Sequence, residues 1–199
     1  MHGLAPNRYS GLDAAFETIK SSINSILETE KEISEGPWIL PIAGLDKSMS
    51  DQVGSKMANL GEVRNELGLP VPEGFVVTAS AYRAFMKLND LQEEINRKLQ
   101  VLDPDDLEML HQVSADIQGL IVRAPLPAEL KKMILEAYTS LEKNTHEGVN
   151  VSLRSSAVGE DTERASFAGQ YASRLNVSSE YLCLTYKEIV ASKYTPQAI

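Results

Sequence analysis

Hydrophobic positions change period several times along the chain, and each change marks a new element. From Leu12, apolar residues recur at Phe16, Ile19, Ile23, Ile26 and Ile33, which places them on one helical face interrupted by Glu30. About three heptads make a marginal coiled coil. The preferred reading is a helix lying against the domain that follows, and the other is pairing of residues 11–34 between two copies as a homodimer. Gly36 and Pro37 end this helix. Residues 38–46, WILPIAGLD, read as a short apolar lead-in with a turn. VGSKMANLGEVRNELG then has helical spacing through Met57, Leu60, Val63, Arg64 and Leu67, and predicts a helix from near Ser55 to Gly68.

The prolines of LPVPEG forbid continuation of that helix. FVVT at 75–78 is a short run of β-branched and aromatic residues and predicts a buried strand. Thr78 or Ser80 is placed to cap the next helix, AYRAFMKL. A helical block follows. Its first long segment has Asp103 as cap, Pro104 at the first helical position, and an apolar face of Leu107, Leu110, Val113, Ile117 and Leu120. PAELKKMILEAYTSLEK repeats the pattern through Leu130, Met133, Ile134, Ala137, Tyr138 and Leu141, and Asn144 to Gly148 break it. VNVSLRS (149–155) alternates as a strand, YASRLNV is strand-like, and a last helix runs from about Ser179 to Ser192.

Composition narrows the class. The 199 residues are 43% hydrophobic and 24% charged, as in globular proteins, and no apolar run approaches the roughly 18–20 residues of a membrane span. With 28 acidic and 19 basic residues the net charge is −9, which argues against nucleic acid as a partner. That balance does not exclude an anionic small ligand, since a few aimed cations and backbone N–H groups suffice to hold one. Cys183 is the single cysteine, so neither an internal disulfide nor a multi-cysteine metal site is expected. The N-terminus has no basic region followed by an apolar stretch, and the expected setting is cytoplasmic.

Two segments carry candidate chemistry. In the first, Gly54 to Gly61, glycines flank Lys56 at a predicted helix start, where backbone approaches closely and the helix end favours anions. GSKxxNLG is not a phosphate-binding loop of the Gly-Lys-Ser/Thr kind, and taken alone Lys56 reads as well as a solvated lysine. In the second, Arg154 leaves a strand beside Ser155 and Ser156. A permanent cation with several donors suits a polyphosphate, while an ordinary strand exit into a surface loop explains the same residues. Glu160, Asp161 and Glu163 either orient the basic groups or stay in solvent.

Taken together, VGSKMANLGEV, GLPVPEGFVVTASAYRAF, VSLRSSAVGEDTERASFAGQY and LNV…VASKYTPQAI occur in an order that resembles the N-terminal nucleotide-binding domain of PEP synthase, pyruvate phosphate dikinase and rifampicin phosphotransferase. The blocks cover most of residues 45–199. The resemblance implies an α+β fold: the N-terminal part of an ATP-grasp domain over 41–199, helix-rich with a small mixed sheet, preceded by a helical extension over 1–40. It implies that Lys56 and Arg154 contact ATP phosphates as the catalytic cations, and that Gly169 and Ser173 complete the ATP site, with Ser173 in place of a more usual Thr. Met57 replaces a Gly or Asn beside the lysine and tightens the loop. Gln197 stands where the family has Arg.

The resemblance further implies phosphoryl transfer from ATP to a histidine on a swivelling domain, then to pyruvate or another acceptor. Mg2+ is held by acidic residues late in the ATP-grasp domain. The magnesium ligands, the carrier histidine and the acceptor site are expected beyond Ile199, so the chain is expected to be inactive alone. A pyruvate phosphate dikinase, a rifampicin phosphotransferase-like enzyme or a non-catalytic nucleotide-binding module are the alternatives. His2, His111 and His146 form no metal pair, and His111 is read as structural. Trp38 is read as an anchor for the lead-in segment, and Asn176-Val177-Ser178 as a chance glycosylation triplet.

Overall fold

The computed structural model describes Phe16, residues 18–21, 36–103, 105–156, 161–162, 165–166 and 172–199. The chain divides into two compact units, Met1–Ser34 and Glu35–Ile199. In the first, Phe16 and residues 18–21 are helical, and the rest of the helix expected from Leu12 lies outside the described residues.

In the second unit the lead-in is a strand, β1 (Ile39–Pro41), paired antiparallel with β2 (Phe75–Val77). Trp38 packs half-buried against the main core, as an anchor should. Between these strands run two 3₁₀ turns (Ile42–Gly44, Lys47–Met49), the short α1 (Ser50–Val53) and α2 (Ser55–Asn65). The α2 helix stops at Asn65, short of Gly68. Gly68 lies beyond it at φ 61°, in the left-handed region, and Leu69 N–H turns back to the Val63 carbonyl. Ile42, Leu45, Val53, Ala58 and Val76 form a small core here, joined by half-buried Met57 and Leu60.

The larger core is helical. α3 (Ala79–Leu88) begins at Thr78, whose buried hydroxyl accepts from Ala81 N–H and donates to the Pro37 carbonyl, joining the cap to the lead-in. α3 buries Ala81, Phe85 and Met86, and α4 (Leu91–Gln100) buries Leu91 and Ile95. α5 (Leu107–Arg123) starts later than expected. Asp106, not Asp103, is its cap, accepting from Met109 N–H, while Asp103 accepts from Asp105 N–H in the preceding turn. Leu107 is therefore an exposed first-turn residue, and the buried face is Val113, Ser114, Ile117 and Ile121. α6 (Ala128–Asn144) buries Leu130, Ile134, Tyr138 and Leu141, and α7 (Leu182–Ala191) buries Leu182, Thr185 and Ala191. Full burial of a side chain such as Phe85 contributes roughly 1.5–3 kcal/mol. Lys187 of α7 donates to the Val122 and Ala124 carbonyls, so a cation closes the C-terminal end of α5. His111 is exposed on α5, and the structural role read for it does not hold.

The strands described form three two-stranded antiparallel ladders, β1–β2, β3 (Val151–Arg154) with β6 (Ser173–Val177), and β4 (Asp161–Thr162) with β5 (Ala165–Ser166), in place of one mixed sheet. The fold is α+β and helix-rich. Among the described residues no helix is long and apolar enough to cross a membrane.

Candidate functional site

The α2 helix begins abruptly because Gly54 adopts φ 78°, ψ 157°, a conformation that a side chain would strain. Its lack of a side chain has a second cause. A Cβ on Gly54 would run into the Ser156 carbonyl and lie 2.6 Å from Ser156 Oγ. The start of α2 therefore sits directly on the segment that leaves β3. Gly54 has no side chain with which to cap the helix, and the hydroxyl of Ser156 serves instead, accepting from Met57 N–H at 3.2 Å across 99 residues of sequence. The two segments singled out as chemistry-bearing meet at this contact.

Lys56 immediately precedes Met57 and is exposed at the second position of α2. Arg154 ends β3 two residues before Ser156, is also exposed, and its Nε donates to Ser152 Oγ at 3.3 Å. Across the ladder Arg154 is the register partner of Ser173. Directly opposed residues of an antiparallel pair face the same side. Ser173 thus shares the face of Arg154, and both side chains are exposed. The ladder is irregular between Val151 and Leu153, where β6 carries one more residue than β3. Asn176 absorbs the extra residue at φ 58°, and Asn150 Nδ2 donates to its Oδ1 at 3.0 Å. Gly169 lies outside the described residues, as do Glu160 and Glu163. Asp161 is described as part of β4.

The far end of α2 is pinned as closely as its start. A Cβ on Gly61 would lie 2.5 Å from Leu45, and Asn65 Nδ2 donates to the Leu45 carbonyl at 2.8 Å. Arg64 is paired with Glu73 of the connector at 2.6 Å. Met57 turns its side chain into the small core, which accounts for a large apolar residue beside the lysine. The closing block is mainly architectural. Ser192 accepts from Ala172 N–H, just before β6, and the Tyr194 carbonyl receives Ser114 and Gln118. Gln197 is exposed.

Chemically, these residues offer two exposed cations, hydroxyls on one strand face, and the N-terminal end of an 11-residue helix. This donor set fits phosphate oxygens. Among the described residues no three His, Cys, Asp or Glu side chains converge on one point. Sequence reasoning leaves the two hydroxyls of the Arg-Ser-Ser run open between donors for a ligand and an ordinary strand exit. It missed that Ser156 is turned onto the helix, because only the tertiary fold brings Gly54 against it.

The chain belongs to the family of the pyruvate phosphate dikinase AMP/ATP-binding domain, whose model matches residues 50–199. Within it, the chain is similar to phosphoenolpyruvate synthases. It is 42% identical over 163 residues to the probable phosphoenolpyruvate synthase of Methanocaldococcus jannaschii, covering 79% of this chain and 14% of that protein. It is 38% identical over 165 residues to the phosphoenolpyruvate synthase of Deinococcus radiodurans, covering 81% and 21%. For the Escherichia coli phosphoenolpyruvate synthase the match is 35% over 167 residues, covering 82% and 21%. The chain therefore spans about a fifth or less of the length of these relatives.

Proposed function

We propose that these residues form the ATP-binding portion of a phosphoenolpyruvate synthase-like phosphotransferase, which converts ATP, pyruvate and water to AMP, phosphoenolpyruvate and phosphate through a phosphohistidine. One observation carries the reading. The Ser156–Met57 hydrogen bond holds the segment bearing Lys56 against the segment bearing Arg154, so the two matched cations flank one contact. In phosphoryl transfer the protein contributes positioning and charge neutralisation, and Lys56 and Arg154 supply both to the phosphate oxygens. Gly169 and Ser173 complete the nucleotide site, Ser173 from the strand face it shares with Arg154. Mg2+ in this reading is held by carboxylates outside the 199 residues. Residues 41–199 are the N-terminal part of an ATP-grasp domain and 1–40 an extension. The carrier histidine and the acceptor site belong to further domains, and these residues alone turn over no ATP with pyruvate. The enzyme works in the cytoplasm.

The test is ATP binding and pyruvate-dependent AMP formation by the full-length protein. Lys56→Ala and Arg154→Ala should each weaken ATP binding about tenfold or more, as expected for loss of a charge-assisted hydrogen bond. Unchanged ATP affinity in both variants would overturn the site. Tight ATP binding without AMP formation from any acceptor would favour a nucleotide-binding module. AMP formation dependent on pyruvate and phosphate together would favour a pyruvate phosphate dikinase.

A further inference from the structure

We infer that Ser156 is a positioning residue for ATP, the joint that makes Lys56 and Arg154 act on the phosphates as one unit. The inference rests on the proposed ATP site and adds a residue to which no role in it has been given.

Three observations converge on Ser156. Its hydroxyl accepts from Met57 N–H, the third residue of α2 and a donor that has no carbonyl partner within the helix. Its backbone carbonyl lies so close to Gly54 that no Cβ fits between them. And only Ser155 separates it from Arg154 at the end of β3. A side-chain cap ordinarily comes from the residue next to the helix, which ties the helix start to its own preceding loop. Here the cap comes from 99 residues away, so it ties the helix start to another element. Lys56 cannot shift along or around the start of α2 without breaking the Met57–Ser156 bond or pushing Gly54 into the Ser156 carbonyl. Its position is thereby set relative to Arg154, although neither cation needs to touch the other.

A cation presented in register loses less freedom on meeting a polyphosphate than one on an independent segment, and small misplacements are costly in phosphoryl transfer. Ser156 therefore acts on ATP through geometry, without contributing charge. A serine that served only stability would leave the energetic link between the two cations untouched.

The experiment is a double-mutant cycle in the full-length protein, with ATP dissociation constants measured for Lys56→Ala, Arg154→Ala and their combination, with and without Ser156→Ala. The expected result has three parts. Ser156→Ala alone weakens ATP binding about tenfold. Lys56→Ala and Arg154→Ala are non-additive with Ser156 present and additive without it. Ser156→Thr, which keeps a hydroxyl acceptor, restores both affinity and coupling. If the two cation variants weaken ATP binding while Ser156→Ala leaves affinity and coupling as they were, the inference is overturned and the ATP site stands. If neither cation variant changes ATP binding, the ATP site itself fails, and the inference with it. Should Ser156→Ala not fold, amide hydrogen exchange of the unsubstituted protein decides. The Met57 amide must be protected and must gain protection with ATP, and an unprotected Met57 amide overturns the inference.

Discussion

Two ways of packing a helix stand side by side in the second unit. The helices α3 to α7 meet through apolar stripes, with side chains such as Phe85, Ile95, Ile117 and Ile134 filling the space between axes. The α2 helix buries only Ala58 and Gly61, and its backbone lies directly against Leu45 at one end and Ser156 at the other. A stripe-packed helix owes its stability to area removed from water and can adjust by changing rotamers. A helix seated backbone to backbone has no such freedom, and is fixed by a few close approaches and hydrogen bonds. The second arrangement gains less apolar burial but holds its first turn, with Lys56, in one place. Under the proposed function, it suits a helix that presents a charge to a ligand rather than one that fills a core.

Substitutions separate the two modes, and the largest effect should come from the stripe. Phe85→Ala removes a fully buried ring that packs on Tyr186, and should destabilise by about 3–5 kcal/mol in denaturant unfolding. If α3 were as lightly packed as α2, the loss would be far smaller. Next comes Gly61→Ala, which drives a methyl group into Leu45 and should cost about 1–3 kcal/mol despite the better helix propensity of alanine. Gly119→Ala on α5 is its counterpart and should have the opposite sign. There the new methyl meets only the guanidinium of Arg123, a side chain with room to move, and a gain of about 0.5–1 kcal/mol is expected from propensity. Equal signs for the two glycines would break the comparison.

The smallest effect concerns pH. The Ser48 hydroxyl and N–H both donate to Asp46, at the start of the 3₁₀ turn before α1, and hold its carboxyl below the ordinary value of 3.8. A carboxyl lowered in the folded state stabilises fully above its unfolded value, and the contribution is lost as pH falls through the folded one. Thermal melts between about pH 5 and pH 2 should therefore show Asp46→Asn less stable than the parent at the upper end, with the difference closing on acidification. A gap that stays constant would show that the carboxylate charge is not what matters there.

Legibility in the sequence follows the same division. Where burial is by stripe, periodicity predicted the helix and its buried face, as with Leu130, Ile134, Tyr138 and Leu141 on α6. It failed at helix ends, where a single hydrogen bond decides. Asp103 and Asp106 are chemically identical candidates for the α5 cap, and only the path of the preceding turn selects Asp106. In α2 the apolar spacing of Met57, Leu60 and Val63 marked a helix, but its tightest contacts are made by Gly61 and Gly54, which carry no hydrophobic signal. Tyr186 and Tyr194 show the cost of burial in polar terms: it pushes the Tyr186 hydroxyl well above the ordinary tyrosine range and raises that of Tyr194, and the Tyr186 hydroxyl has no hydrogen-bond partner among the described residues.

The sequence by itself determined the ordered blocks that define the family, the α+β class, the positions of most helices, and the two cations. These are encoded by residue type and spacing, which local propensity and burial read directly. The tertiary structure alone decided that Arg154 faces the same side as Ser173, and that Ser156 caps a helix begun 101 residues earlier. It also decided that Gly54 is glycine because another segment's carbonyl occupies the space of its Cβ. Such contacts depend on the approach of two backbones remote in sequence, and neither segment carries in its own pattern the information that the other will be there.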